Sequence, residues 1–349
     1  MRHMTKLESA ALVVVVSVVS TLLSACSGGG GGGASPQTAP LTLSVTDTPV
    51  DPTLIAAVCV SFNRITLHYD NGQQVALDYA PSPSLVTPQT HCLSTGVWDG
   101  SPPVPPVRLD ALGGALSVAL ADNLQVPAGR ITWIRLQFTG DSYVIDTTGG
   151  QHDLRCPSCE PTDNNTGRGF KLIQPIELTG AGLNLVVDVD LRKSLHIDSS
   201  GYALRPTAKM RVEEAAALGT IAGQVDALLV RSQGGSLYTG TTVETGCSVY
   251  AYAVHGTVPD DIYDGSPVVA TAPVRYDVSL GQYRYAIGAL PGGTAALPSP
   301  YTVALTCGLD DPTINDSDVF VPFYGAQNAD VLAGQTTIVD FLASASVPR

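Results

Sequence analysis

Six of the seven cysteines, at positions 59, 92, 156, 159, 247 and 307, are the residues whose type and spacing could do the most chemistry. Each could close a disulfide, bind a metal as thiolate or cycle between redox states. Cys156-Pro157-Ser158-Cys159 has the spacing of a redox dithiol or of half a zinc site. A redox dithiol needs its first thiolate at a helix start in a βαβ frame, whereas this motif lies in a loop running on to Asp163-Asn164-Asn165. Zinc would need a second close pair, and the chain has none. Bridging is therefore preferred to the redox and metal alternatives. Cys247 shares strand parity with Val249 and Ala251, and Cys307 with Leu305 and Val303, so both should face a core. The expected pairs are Cys247 with Cys307, Cys59 with Cys92, and Cys156 with Cys159.

Other chemistry is harder to find. No Gly-x-Ser-x-Gly elbow, His-Glu-x-x-His helix or phosphate-binding glycine loop is present. The histidines, at 3, 68, 91, 152, 196 and 255, are scattered singly and read as ordinary surface residues. Two distant carboxylates could hydrolyse a glycoside, yet nothing singles out a pair among 31 acidic residues. Asp310-Asp311 with Asn315, Asp316 and Asp318, and Asp260-Asp261 with Asp264, crowd oxygens into loops where structural calcium is possible. The fixed spacing and central glycine of a calcium loop are missing, so solvated turns are preferred and no cofactor or metal is expected. Trp98, beside the proline-rich Ser101 to Pro106, and Tyr250, Tyr252 and Tyr263 could form a stacking platform for sugars.

These residues need a frame, and the composition supplies one. Thirty-five glycines, 25 prolines and many short runs of Val, Ile, Thr and Tyr argue for strands joined by tight turns. Only 14% of residues are charged, with a net charge of −13, which speaks against nucleic acid because phosphate binding needs clustered Lys and Arg. The same balance disfavours docking of the protein surface onto anionic lipid.

Arg2, His3 and Lys6 precede an apolar run from Ala10 to Leu23, about 14 residues against the roughly 20 that span a bilayer. The run ends in Leu23-Ser24-Ala25-Cys26, which resembles the lipobox of bacterial lipoproteins. The resemblance implies a signal peptide over 1–25, cleavage before Cys26, and acylation of Cys26, which anchors the chain to a membrane through lipid. Ser27 in place of an aspartate implies the outer membrane. An even set of cysteines in such an exported chain fits three disulfides. Residues 27–40, with six consecutive glycines, form a flexible tether spanning on the order of 20 Å.

From Leu41 the pattern has period two: Leu41, Leu43 and Val45, then Val58, Val60 and Phe62, then Ile65, Leu67 and Tyr69. Leu183, Leu185, Val187, Val189 and Leu191 alternate with Asn184, Asp188 and Asp190, which should face solvent. Val212 to Gly219 has the only helical composition, and a second strand set opens with Ile221, Gly223, Val225, Ala227 and Leu229. The chain is therefore predicted to be all-β, with two antiparallel β-sandwich domains over 41–215 and 216–349.

Leu41 to Asp51, Phe62 to His68, Asp190 to Ser194 and Tyr202 to Pro206 resemble a family of bacterial lipoprotein domains known only as domain of unknown function 4382, over about residues 41 to 212. The loops around Cys92 and Cys156 depart from it. The second region, through Gly223-Gln224-Val225, Val249 to Tyr252, and Leu290-Pro291-Gly292-Gly293 leading to Tyr301-Thr302-Val303, is similar to the transthyretin-like or carboxypeptidase-regulatory-like sandwich, with Thr294 to Pro300 lengthening the usual turn. The first resemblance implies a surface β-sandwich with no established activity, and the second a module that binds or spaces rather than catalyses. The expected role is a non-catalytic binding or scaffolding module in the envelope, with a glycan or an envelope protein as partner. An adhesive surface component acting by polymerisation or strand exchange, and a hydrolase with a cryptic carboxylate pair, are the alternatives.

Overall fold

Alternation of β-branched or aromatic residues with polar ones sends every second side chain to the same face, and this period builds the sheets. A computed structural model describes residues 37–343 apart from 49–54, 95, 113–115, 160–168, 206–209, 264, 309 and 311–320. The lipobox with Cys26, most of the tether, and Asp264, Asp311, Asn315, Asp316 and Asp318 lie outside the described residues. The chain is all-β.

One four-stranded sheet runs in the order Met210–Glu214, Leu183–Asp190, Thr38–Thr48, Val118–Pro127. A second is ordered Gly169–Leu172, Gly129–Phe138, Phe62–Tyr69, Gln74–Asp78, with Ile176–Leu178 also on the Gly129–Phe138 strand. The third is ordered Leu195–Asp198, Gly201–Leu204, Gln151–Arg155, Tyr143–Asp146, Ile55–Val60, Val107–Arg108. Most ladders are antiparallel, but Thr38–Thr48 runs parallel to Leu183–Asp190, with Leu43 opposite Leu185 and Val45 opposite Val187. The inward residues of all three sheets share one apolar core that includes Leu41, Ile65, Leu67, Ile134, Leu136 and Val187.

The remaining seven strands form one sheet, ordered Tyr324–Val331, Ser299–Thr306, Glu244–Ala253, Val268–Asp277, Gln282–Pro291, Leu218–Val225, Thr336–Ile338. Its first and last members are consecutive in the chain, and the Thr337 hydroxyl donates to the Asp330 carbonyl at 2.6 Å, so the sheet curls back on itself. Inside the curl lies a separate core that includes Ile221, Val249, Ile287, Val303 and Phe341. Gly223 permits this packing: a Cβ there would stand 1.9 Å from the Val339 carbonyl oxygen.

The structure corrects three readings of the pattern. Ala227 and Leu229 do not continue the strand; they sit in a short helix, Ala227–Ser232, because the Asp226 carboxylate caps it by accepting the Leu228 N–H at 2.8 Å. Val212 to Gly219 is strand on either side of a single 3-10 turn, Ala215–Ala217. Asp188 and Asp190 do not face solvent; they are 4% and 7% exposed. Disulfides join Cys59 to Cys92, Cys156 to Cys159 and Cys247 to Cys307.

Candidate functional site

The segment after Tyr79 has little regular structure, so it depends on other ties to hold a shape. The Cys59–Cys92 disulfide pins it to the Ile55–Val60 strand. The Cys92 N–H donates to the Pro106 carbonyl at 2.8 Å and the Arg108 N–H to the Thr90 carbonyl at 2.9 Å. His91, between them, is not a surface residue: it is 1% exposed, and its ring nitrogens contact the Tyr79 hydroxyl and the Thr90 hydroxyl, each at 2.9 Å. Burial lowers its pKa to about 4, so the imidazole stays neutral at physiological pH and serves as a hydrogen-bonding strut.

The loop so held forms one wall of an open trench of about 880 Å³, with Trp98, Val97, Pro103, Pro105, Tyr143 and Ile145 among its lining. A second hollow of about 550 Å³, bordered by Asn63, Tyr79, Asp141 and Asp153, shares Pro103, Pro105, Pro106, Tyr143 and Gln151 with it. The two are halves of one depression on either side of the proline run. Trp98 is half-buried, and its indole N–H donates to the Ser101 carbonyl at 2.7 Å, which fixes the ring against the loop. Arg108, also in the lining, is already committed: its guanidinium contacts the Ala56 carbonyl at 3.0 Å and the Asp110 carboxylate at 3.2 Å. The arrangement offers aromatic and proline surface with a few polar groups, which suits binding of a chain-like ligand.

Tyr250 and Tyr252 do not join Trp98, and they cannot form an open platform, because both are 0% exposed. Their strand is covered on both faces. The Tyr250 hydroxyl donates to Asp310 Oδ2 at 2.6 Å, and the Tyr252 hydroxyl to the Asp260 carbonyl at 2.7 Å. Tyr263 is half-buried, its hydroxyl donating to Asp260 Oδ2 at 3.2 Å. Asp310 Oδ2 also accepts the Ile262 N–H at 3.0 Å. Asp260 and Asp310, from the loops where calcium was the lesser alternative to solvated turns, thus serve to hold those loops, and among the described residues no three metal-competent side chains converge.

Against Tyr250 lies the helical turn Leu191–Ser194, with the Arg192 guanidinium carbon 4.8 Å from the ring centre. Lys193 donates its ammonium to the Val268 carbonyl, so this turn ties the first three sheets to the seven-stranded one. The turn is held by two buried carboxylates: Asp47 accepts the Leu191 N–H and Asp190 the Lys193 N–H, each at 3.1 Å. Desolvation raises both pKa values, that of Asp190 to about 6. From about pH 4 to 6 the folded chain therefore keeps a proton on Asp190 that the unfolded chain has lost. This contribution to stability is fully present at low pH and disappears as pH rises through 6. Asp190→Asn keeps an oxygen for the cap and cannot ionise, so its stability relative to the natural chain should climb by on the order of 3 kcal/mol between pH 4 and 7. Urea melts across that range check it; a pH-independent difference would refute the assignment.

Two surface features are built around histidines. His152 meets Asp146 at 2.7 Å, and the hydroxyl of Thr148 and N–H of Gly150 also converge on that carboxylate, lowering its pKa; this is a hairpin lock. His68 stacks on Trp133 at 4.7 Å, a pairing that sequence reasoning missed because it requires the register between neighbouring strands. The trench was likewise only half visible: Trp98 and the prolines stood out, but Tyr143 and Ile145 arrive from a distant strand.

Residues 38–206 match the family described as Domain of unknown function (DUF4382). The DUF4382 region thus holds the trench, the disulfides at Cys59 and Cys156, and the turn that meets Tyr250, and its ends lie a few residues from those drawn from the opening and closing motifs. No curated protein matches the chain. Among solved structures, a "putative adhesin" from Bacteroides ovatus is similar, with 11% identity over 93% of this chain and 100% of that one, at a TM-score of 0.20. A "putative cell adhesion protein" from Bacteroides fragilis shows 9% identity over 89% and 95%, at a TM-score of 0.19. Superpositions that loose transfer neither fold nor role. Among the described residues no helix is long and apolar enough to cross a membrane.

Proposed function

We propose that this is a lipid-anchored outer-membrane lipoprotein that binds a neutral glycan strand in the trench beside Trp98, without catalysing a reaction. The observation that carries the reading is the trench itself: a disulfide-pinned wall of prolines and Trp98, facing Tyr143, with Arg108 of its lining already paired to Asp110. Sugar rings stack on such aromatic surface, and prolines hold the wall rigid so that little entropy is lost on binding. Residues 1–26 support the anchor, and the seven-stranded sheet, read as transthyretin-like, serves as a spacer or second binding module.

The test uses the full chain purified in detergent. Its intact mass should show lipid on an N-terminal Cys26, and a glycan array should retain it. Trp98→Ala should weaken that binding about tenfold, the loss of roughly 1.4 kcal/mol. An unmodified Cys26 would remove the anchor; equal binding by Trp98→Ala would remove the trench. Concentration-dependent assembly with no glycan retained would favour the adhesive alternative.

A further inference from the structure

The depression beside Trp98 is lined unevenly, and the paired strands Tyr143–Asp146 and Gln151–Arg155 set the pattern. Val144 and Leu154 point into the core, so their neighbours along each strand face outward. Tyr143 stands opposite Asp153 in the ladder, and Ile145 opposite Gln151. All four line the depression. Side chains directly opposite in such a ladder lie about 5 Å apart, so each apolar group on one strand has a polar group beside it on the next.

Asp141 joins Asp153 in the smaller hollow, together with Asn63. Its carboxylate accepts the Thr139 hydroxyl at 3.0 Å, and its N–H donates to the same oxygen at 3.3 Å, which fixes where it stands. Both aspartates are exposed, and among the described residues neither forms an ion pair. The described lining of this hollow holds no Lys or Arg, and Arg108 of the larger half is already taken by Asp110 and the Ala56 carbonyl. A carboxylate only accepts hydrogen bonds, so these two need donors from whatever fills the hollow, and they repel an anion brought there. Hydroxyls donate, and two neighbouring hydroxyls of a sugar ring match the two oxygens of one carboxylate. With the C–H face of the ring on Tyr143, its hydroxyl edge turns to Asp153.

Resting on the glycan reading of the trench, we propose that Asp141 and Asp153 set the class of glycan it takes: a polymer whose rings carry free adjacent hydroxyls, bound by the two carboxylates, with uronic-acid polymers turned away. Asn63 and Gln151 add amides that both donate and accept, and so hold the same hydroxyl edge.

Calorimetry on the full chain in detergent tests this, with cellohexaose, xylohexaose and maltohexaose as neutral probes and hexagalacturonate as the acidic one. At least one neutral hexamer should bind, Trp98→Ala should weaken it, and hexagalacturonate should bind about tenfold more weakly or worse. Asp141→Asn with Asp153→Asn keeps the shape of both side chains and removes both charges, so the preference for neutral over acidic hexamer should fall by about tenfold. Asp122→Asn, at an exposed position on another sheet, removes a charge away from the depression and should leave the preference as it was. Binding that depends on Trp98 but keeps its preference in the double variant, or hexagalacturonate bound as well as the neutral hexamers by the natural chain, would overturn this assignment and leave the trench standing. No binding of any neutral hexamer, or binding indifferent to Trp98→Ala, would overturn both.

Discussion

Arg211→Ala should destabilise the protein by about 3 to 5 kcal/mol, although Arg211 does not line the trench. Arg211 donates to the Asp188 carboxylate from the neighbouring strand, and that carboxylate's side chain is only 6% exposed. Beyond it lie Asp47 and Asp190, also buried, whose charges act on one another. Taking away the guanidinium leaves a carboxylate with neither water nor a partner, beside two more acids. Truncating both members, Arg211→Met with Asp188→Leu, removes the stranded charge along with the pair, so the double variant should recover most of the loss. Urea unfolding of the three chains decides it: a single-variant loss below about 1 kcal/mol, in the range of exposed ion pairs, would mean that Asp188 is hydrated.

Opening the Cys247–Cys307 bridge should cost about 4 kcal/mol, because it closes a loop across 60 residues of sequence and so restricts the unfolded chain strongly. Cys247 is 1% exposed in the core of the curled sheet, and its sulfur closes the gap beside Gly235, so Cys247→Ala with Cys307→Ala also leaves a small void. Cys156–Cys159 spans three residues, and on the same reasoning its removal should cost less than half as much. Equal losses from the two double variants would show that chain entropy is not what these bridges contribute.

What could be read directly from the residues was whatever has a local period. Leu41, Leu43 and Val45 alternate, and all three are fully buried, since a strand's facing repeats every two residues whatever its neighbours are. Cys247 and Cys307 could be paired by parity for the same reason. What escaped was set by coverage from elsewhere in the chain. The alternation of Asp188 and Asp190 with valines looked like a solvent face, yet Arg211 and Lys193 close over it. Tyr250 and Tyr252 looked like an accessible pair until Phe323 and Arg192 were placed against them. Ala227 and Leu229 continued a strand pattern that one carboxylate at Asp226 was enough to end. The stack of His68 on Trp133 depends on the two falling opposite one another, a register that no single strand contains.

The curled sheet bears on how the molecule meets its neighbours. An open sheet ends in a row of unpaired amides and carbonyls that any extended chain can lengthen. Here the last strand, Thr336–Ile338, turns back toward Asp330 on the first, so the two ends of the seven-stranded sheet partly cover one another. A fibre of these molecules would grow more readily from an open edge such as Gln74–Asp78, which ends its sheet with alternate side chains exposed to water.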